Sequence, residues 1–185
     1  MHDDELWQVY KQNGTPSGTD GHPPLEFSNH PDAVMGNAHV WFWKKDHDGD
    51  LEILLQKRSL TRTNSPGMYH ISAAGHINVG ESAVEAAVRE TREEMGIHID
   101  ADRLYYAGAM RRLNLNPNSM ATVYLYELGD DEQFDYADGE VDSVEWRSLA
   151  NFKKITAAPA AHNLVDQGDV YFSLLIDSLQ RVASA

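Results

Sequence analysis

One segment of this 185-residue chain specifies its own conformation more firmly than any other. Ser82, followed by Glu85 three residues later, is a capping box, in which each side chain serves the other's backbone N–H at a helix start. Gly96 stands where a helix closes through a left-handed residue. Between them, at ~100° per residue, Val84, Ala87, Val88, Thr91 and Met95 fall on an arc of roughly 100°, the width of a core-facing stripe. The spacing predicts a helix over 82–95 that lies against a core. The adjoining face is acidic: Glu90 and Glu94 stand only ~40° apart, one turn above each other, and Glu93 crowds the same turn. Two carboxylates at that spacing repel, while Ala83, Ala86 and Ala87 leave room beside them. A hard divalent cation, magnesium or manganese, would turn the repulsion into ligation. Arg89 is one turn from both Glu85 and Glu93 and is expected to pair with either. Taken alone, the helix also reads as a solvated acidic surface with ordinary Arg–Glu pairs.

The rest of the chain supplies strands for this helix to cover. Residues 5–10, 38–44, 51–58, 103–111, 119–127 and 141–147 read as strands. Asn13-Gly14 and Pro16-Ser17-Gly18 read as turns, and 19–37 as a loop. Residues 46–50 read as a hairpin turn; Lys57 occupies the position at which a calcium loop would need its bidentate Glu. A short helix is expected near 148–154 and an amphipathic one at 169–183, with Leu175, Ile176 and Leu179 on its apolar face. This order predicts a mixed sheet packed between helices. No repeat or long linker divides the chain, so one domain is expected, with 1–34 as an N-terminal strand and loop extension to a core over 35–185. The 29 acidic residues against 15 basic ones leave a net charge of −14, which argues against binding to a nucleic acid polymer or an anionic membrane. The absence of Cys excludes disulfides, a thiolate zinc site and a cysteine nucleophile. With neither a leader-like start nor a membrane-length apolar run, a cytoplasmic location is expected.

From Gly75 to Ile97 the chain reads Gly75, five residues, Glu81, seven residues, then Arg89-Glu90-Thr91-Arg92-Glu93-Glu94-Met95-Gly96-Ile97. This pattern resembles the Nudix box, a loop and helix that bind divalent metal against a diphosphate. Every fixed acidic, basic and glycine position is filled; the one departure, Thr91, replaces a larger aliphatic residue on the core stripe. The resemblance implies the Nudix α/β/α sandwich, a mixed β-sheet between helices, over about residues 35–180. It also implies metal-dependent hydrolysis of a diphosphate linkage in a nucleoside diphosphate or other small organic diphosphate. Carried over by position, Glu90, Glu93 and Glu94 would hold Mg2+ or Mn2+, with help from Glu81 or the Gly75 carbonyl. Glu93 is also a candidate base for the attacking water. Glu140 resembles the acidic residue before the late strand that supplies a ligand or base, and reads equally as a surface carboxylate. Metal and carboxylates suffice for this chemistry, because bound cations neutralise phosphate charge and acidify water while a carboxylate takes the proton. Arg58 and Arg62 are candidates for the distal phosphate, since guanidinium forks match phosphate oxygens. Arg111 and Arg112 are weaker ones.

A narrower resemblance lies in the flanks. Glu5-Leu6-Trp7 with Gly14 and Gly18, then His39, Leu54-Leu55-Gln56-Lys57-Arg58-Ser59, Pro66-Gly67 and Ser72-Ala73-Ala74-Gly75-His76 resemble the branch that includes isopentenyl-diphosphate isomerase. In that enzyme the position matching Ala74 is a catalytic Cys, and metal-binding His residues match His39 and His76. Ala74 cannot move a proton at carbon, and no Asp or Glu occurs from Asn114 to Thr122, where the isomerase's acidic residues would fall. Hydrolysis is therefore the leading expectation, isomerisation the rival, and a non-catalytic ligand sensor the third reading. His39 and His76 are read either as metal or phosphate contacts or as satisfied structural residues. The organic group is expected at loops 19–37, 60–69 and 112–120, where Trp41, Trp43, Tyr69, Tyr105 and Tyr106 would stack on it unless they belong to the core. A homodimer stays open.

Overall fold

Residues 6–11, 13–22, 34–112, 118–136 and 139–184 are described by a computed structural model. In chain order the strands are β1 (Trp7–Tyr10), β2 (Pro16–His22), β3 (Val34–Lys45), β4 (Leu51–Arg58), β5 (Tyr69–His70), β6 (Ala73–His76), β7 (Tyr105–Arg112), β8 (Asn118–Glu127) and β9 (Val141–Ser148). The helices are α1 (Ala83–Met95), α2 (Leu149–Thr156) and α3 (Asp169–Val182). All nine strands join one sheet with β3 as its spine. Along one edge β3 runs parallel to β8, from Val34 opposite Asn118 to Trp43 opposite Glu127, and β7 closes that side antiparallel to β8. Along its other edge β3 meets β1, then β6, then β4.

Because successive strand residues face opposite ways, β3 divides the core into two layers. Ala38, Val40 and Phe42 pack with Ala86, Ala87 and Met95 of α1. Trp41 and Trp43 pack with Phe152 of α2 and with Tyr171, Phe172, Leu175 and Leu179 of α3. The expected mixed sheet between helices is what forms. Ile176, expected with Leu175 and Leu179, is only partly buried, and Tyr171 and Phe172 complete that face.

Three boundaries differ from expectation. The Pro and Gly of Pro16-Ser17-Gly18 do not make a turn; β2 runs through them, held antiparallel to β1 with Tyr10 opposite Pro16 and Trp7 opposite His22. β3 begins at Val34, inside the expected loop 19–37, because β1 pairs Val9 with Met35 and Tyr10 with Val34. β7 begins at Tyr105 because a 3-10 turn over Ala101–Arg103, capped by Asp100, comes first. Of the expected loops, residues 23–33 and 113–117 lie outside the described residues. The 46–50 segment is a turn, with the Asp46 side chain accepting from the N–H groups of Asp48 and Asp50.

The feature that opens space for a site is a fork. β3 and β4 pair only from Trp43 to Lys45 against Leu51 to Ile53, and then diverge. β6 follows β3 and β5 follows β4. Fully buried Ser72 sits in the crotch: its Oγ accepts the Phe42 N–H at 3.0 Å and donates to the Leu54 carbonyl at 2.6 Å. One hydroxyl thus satisfies two backbone groups that the divergence strands. Ser72→Ala leaves both unmet in a dry interior, so it is expected to destabilise the fold by about 1–3 kcal/mol in urea denaturation.

Candidate active site

The site grows from α1. Ser82 and Glu85 form the reciprocal capping box, at 3.2 and 2.8 Å, and Gly96 closes the helix at φ 70°. With both ends fixed, Ala87, Thr91 and Met95 of the expected stripe go to the core together with Ala86 and carry Glu94 in with them, while Val84 and Val88 are only partly buried. Thr91 is fully buried, in keeping with its place on the core stripe. Gly75 on β6 faces the helix so closely that a Cβ there would collide with the Glu90 carboxylate and push it aside. The Glu90 carboxylate therefore lies directly on the strand backbone.

Arg89 is the hub. Its Nε donates to Glu81 at 2.8 Å, its Nη1 to Glu90 at 2.7 Å and Glu93 at 3.0 Å, and its Nη2 to the His76 carbonyl at 2.8 Å and Glu81 at 3.0 Å. The expectation that Arg89 would pair with Glu85 or Glu93 is half corrected. Glu85 is committed to the capping box, and Glu81 and Glu90 take its place. Burial works against the Arg89 charge, but the hydrogen bonds and fields of Glu81 and Glu90 outweigh it and hold its pKa above the ordinary value.

Glu94 has a different environment. It is 3% exposed, and one oxygen accepts from the Ala74 N–H at 2.9 Å and from Gln56 Nε2 at 3.0 Å. Burial, and then the neighbouring Glu90 charge, push its pKa up to about 8. Arg58, Arg62 and Glu140 form the rim. Arg62 is ion-paired with Glu140, whose carbonyl also accepts the Ser59 N–H, and Arg58 Nε donates to the Asn64 carbonyl. Arg58 lies in the field of Glu94 and Glu140, so this rim adjoins the buried carboxylate.

The two histidines fall elsewhere. The His76 ring stacks on Trp7, with centroids 3.4 Å apart, while only its carbonyl reaches the carboxylate cluster. His39 is 3% exposed on the opposite side of β3 from α1, with Nδ1 2.9 Å from the Tyr171 hydroxyl. That hydroxyl also accepts Trp41 Nε1–H at 2.9 Å, so it ties His39 to Trp41 within the core. His39 is thus a satisfied core residue apart from the glutamates, and the structure does not bring it to the expected metal ligands. Trp41 and Trp43 are likewise core, Tyr69 bonds Glu145, and Tyr105 and Tyr106 are exposed.

The donor set suits a hard cation: Glu81, Glu90, Glu93 and Glu94 present only carboxylate oxygens, and Glu90 and Glu94 repel each other in a buried place. Among the described residues, no three acidic or histidine side chains already converge as a metal-holding group. Arg89 stands between Glu81, Glu90 and Glu93 as their internal counter-ion. Sequence reasoning missed Gln56, which anchors Glu94, and Trp7, which covers His76. The signal for Gln56 was present: a polar residue after Leu54-Leu55 on a buried strand has to find a partner.

Comparison with known proteins places these observations. The NUDIX domain model matches residues 37–167. Isopentenyl-diphosphate Delta-isomerase of Escherichia coli is 30% identical over 161 residues, 80% of each chain. Nudix hydrolase 3 of Arabidopsis thaliana is 38% identical over 65 residues, 35% of this chain but only 8% of that protein. The match to another curated relative, a bacterial isomerase, spans 45% of its length. A crystal structure from Deinococcus radiodurans shares the fold, with a TM-score of 0.63 at 21% identity, covering 96% of this chain and 98% of that one.

The buried histidines make stability depend on acid. Burial and nearby arginines hold His70 and His76 down to about 3, and burial holds His39 well below its ordinary 6.5. The unfolded chain takes up protons there below pH 6.5 that the folded chain refuses, so this stability is present above 6.5 and lost as pH falls. Each such group contributes a slope of up to about 1.4 kcal/mol per pH unit. Glu94 acts oppositely between 4.5 and about 8, because the folded state keeps a proton that the unfolded state releases. Three histidines outweigh one glutamate, so the urea midpoint is expected to rise from pH 4.5 to 6.5, and less steeply in His70→Gln.

Proposed function

The chain belongs to the Nudix family, and on that premise we propose that it hydrolyses the diphosphate linkage of a small organic diphosphate, using Mg2+ or Mn2+ held by Glu81, Glu90, Glu93 and Glu94. One observation carries the reading: Glu81, Glu90 and Glu93 converge on Arg89, beside the buried Glu94 and beneath a rim of Arg58, Arg62 and Glu140.

When bound, the cation neutralises charge on the phosphate oxygens and makes coordinated water more acidic. The chain's own residues do the rest. Arg89 fixes where Glu81, Glu90 and Glu93 point, so the carboxylates are set before substrate arrives. Glu93 is the most exposed of these three, with its side chain 35% exposed against 15% for Glu81 and Glu90. It gives one oxygen to Arg89 at 3.0 Å, while the other lies 4.0 Å from Arg92, which leaves it an oxygen to accept a proton from water. That makes Glu93 the favoured general base, with Glu140 at the rim as the alternative. Arg58 and Arg62 are placed to meet the distal phosphate, Arg62 by exchanging Glu140 for a phosphate oxygen.

The isomerase relative keeps a second reading in view. Against it, Ala74 offers only a methyl group and a backbone N–H, and the N–H is already donated to Glu94. A panel of nucleoside, sugar and isoprenoid diphosphates, assayed for phosphate release, tests both. Turnover is expected with Mg2+, is expected to vanish with EDTA, and should fall at least ~100-fold in Glu93→Gln, the scale of a lost general base. Conversion of isopentenyl to dimethylallyl diphosphate without phosphate release would instead establish the isomerase.

A further inference from the structure

Glu81, Glu90 and Glu93 take their direction from Arg89, but Glu94 does not. Its carboxylate is held instead from the two limbs of the fork, by the Ala74 N–H of β6 at 2.9 Å and by Gln56 Nε2 of β4 at 3.0 Å. Both bonds end on the same oxygen, Oε2. Among the described residues Oε1 accepts no hydrogen bond.

Glu94 needs a firm hold because of where it lies. It is buried, in the field of Glu90 and Glu140. Like charges repel strongly where water is excluded, so a free carboxylate there would turn away from its neighbours. One donor leaves a carboxylate able to pivot about that bond. Two donors from different directions fill the acceptor sites of one oxygen and leave the other as the open one.

The Ala74 donor is backbone, so it does not depend on the side chain at that position. The Gln56 donor does. Strand alternation puts Gln56 on the α1 side of β4, in line with the core residue Leu54. The side chain is 1% exposed and so cannot turn to water; among the described residues Glu94 is its one side-chain hydrogen-bond partner. A neutral amide suits this place. A cationic side chain would cancel the Glu94 charge and repel an arriving metal ion, a carboxylate would repel Glu94, and a hydrocarbon has no donor. We propose that Gln56 is a positioning residue: it holds Glu94 Oε2 so that Oε1 stays open to the divalent cation. This role rests on the metal site proposed above, but its test reads metal alone, without substrate.

Mn2+ is titrated into the full chain by calorimetry, at a temperature well below the Tm of every variant. Gln56→Met keeps the length of the side chain without a donor, and Gln56→Asn keeps the amide but is one methylene too short to reach Glu94. Each is expected to weaken Mn2+ binding about 10-fold, the scale of a lost hydrogen bond to a charged group. In the Glu94→Gln background the same changes are expected to cost less than about 2-fold, because a residue that acts through Glu94 then has no carboxylate to position. A merely structural residue would weaken binding by the same factor in both backgrounds. Folded Gln56 variants that bind Mn2+ like wild type, or equal losses in the two backgrounds, would overturn the proposal. Should Gln56→Met fail to fold, Gln56→Asn carries the cycle. A wild type that shows the expected cycle but cleaves no diphosphate would uphold the role of Gln56 and overturn the reaction. Diphosphate hydrolysis with native Mn2+ affinity in the Gln56 variants would do the reverse.

Discussion

Arg89 is the interaction on which the site depends. A chain of net charge −14 that gathers four glutamates around one helix needs a positive charge among them, and Arg89 supplies it from within. Its donors reach backward to Glu81 and the His76 carbonyl, which lie before the helix, and along the helix to Glu90 and Glu93. The guanidinium therefore couples the loop to the helix as well as neutralising it. A lysine, with one point of charge, has no comparable fork with which to hold three carboxylates and a carbonyl in fixed directions.

This hub stands where it does because the sheet forks. If β3 and β4 stayed paired past Trp43 and Ile53, no space would separate the strand that carries Gly75 from the one that carries Gln56. Ser72 makes the opening affordable by satisfying the Phe42 N–H and the Leu54 carbonyl. Gly75 then lets α1 approach until Glu90 touches the strand, and Gln56 and the Ala74 N–H close on Glu94 from the two sides of the fork. The depth of the carboxylate site thus comes from backbone geometry more than from any one side chain.

The helix was legible in the sequence because its signals are local: capping box, stripe and closing glycine all lie within fifteen residues and agree. The two-layer core was legible for the same reason, through the strand alternation of Val40, Trp41, Phe42 and Trp43. What the sequence concealed depends on partners far along the chain. Arg89 was assigned a helical neighbour although Glu81, eight residues back in a loop, is the better partner. The difference between His39 and a metal ligand lies in Tyr171, 132 residues away, whose hydroxyl consumes Nδ1. Pro16 and Gly18 were read by propensity, which tertiary pairing with β1 overrides.

The β6 strand divides the site into two halves with different work. On its α1 side, Gly75 meets carboxylates that are ionic, hydrogen-bonded and suited to hold a cation and take protons. On the other side, the isomerase-like position is the methyl of Ala74, and the histidines near it are held neutral by burial and by arginines. An imidazole whose pKa is held near 3 is uncharged at neutral pH and has no proton to give as an acid, and His39 has already committed one nitrogen to Tyr171. The ionisable carboxylates thus lie on the α1 side of β6, and the neutral imidazoles of His39 and His76 on the other.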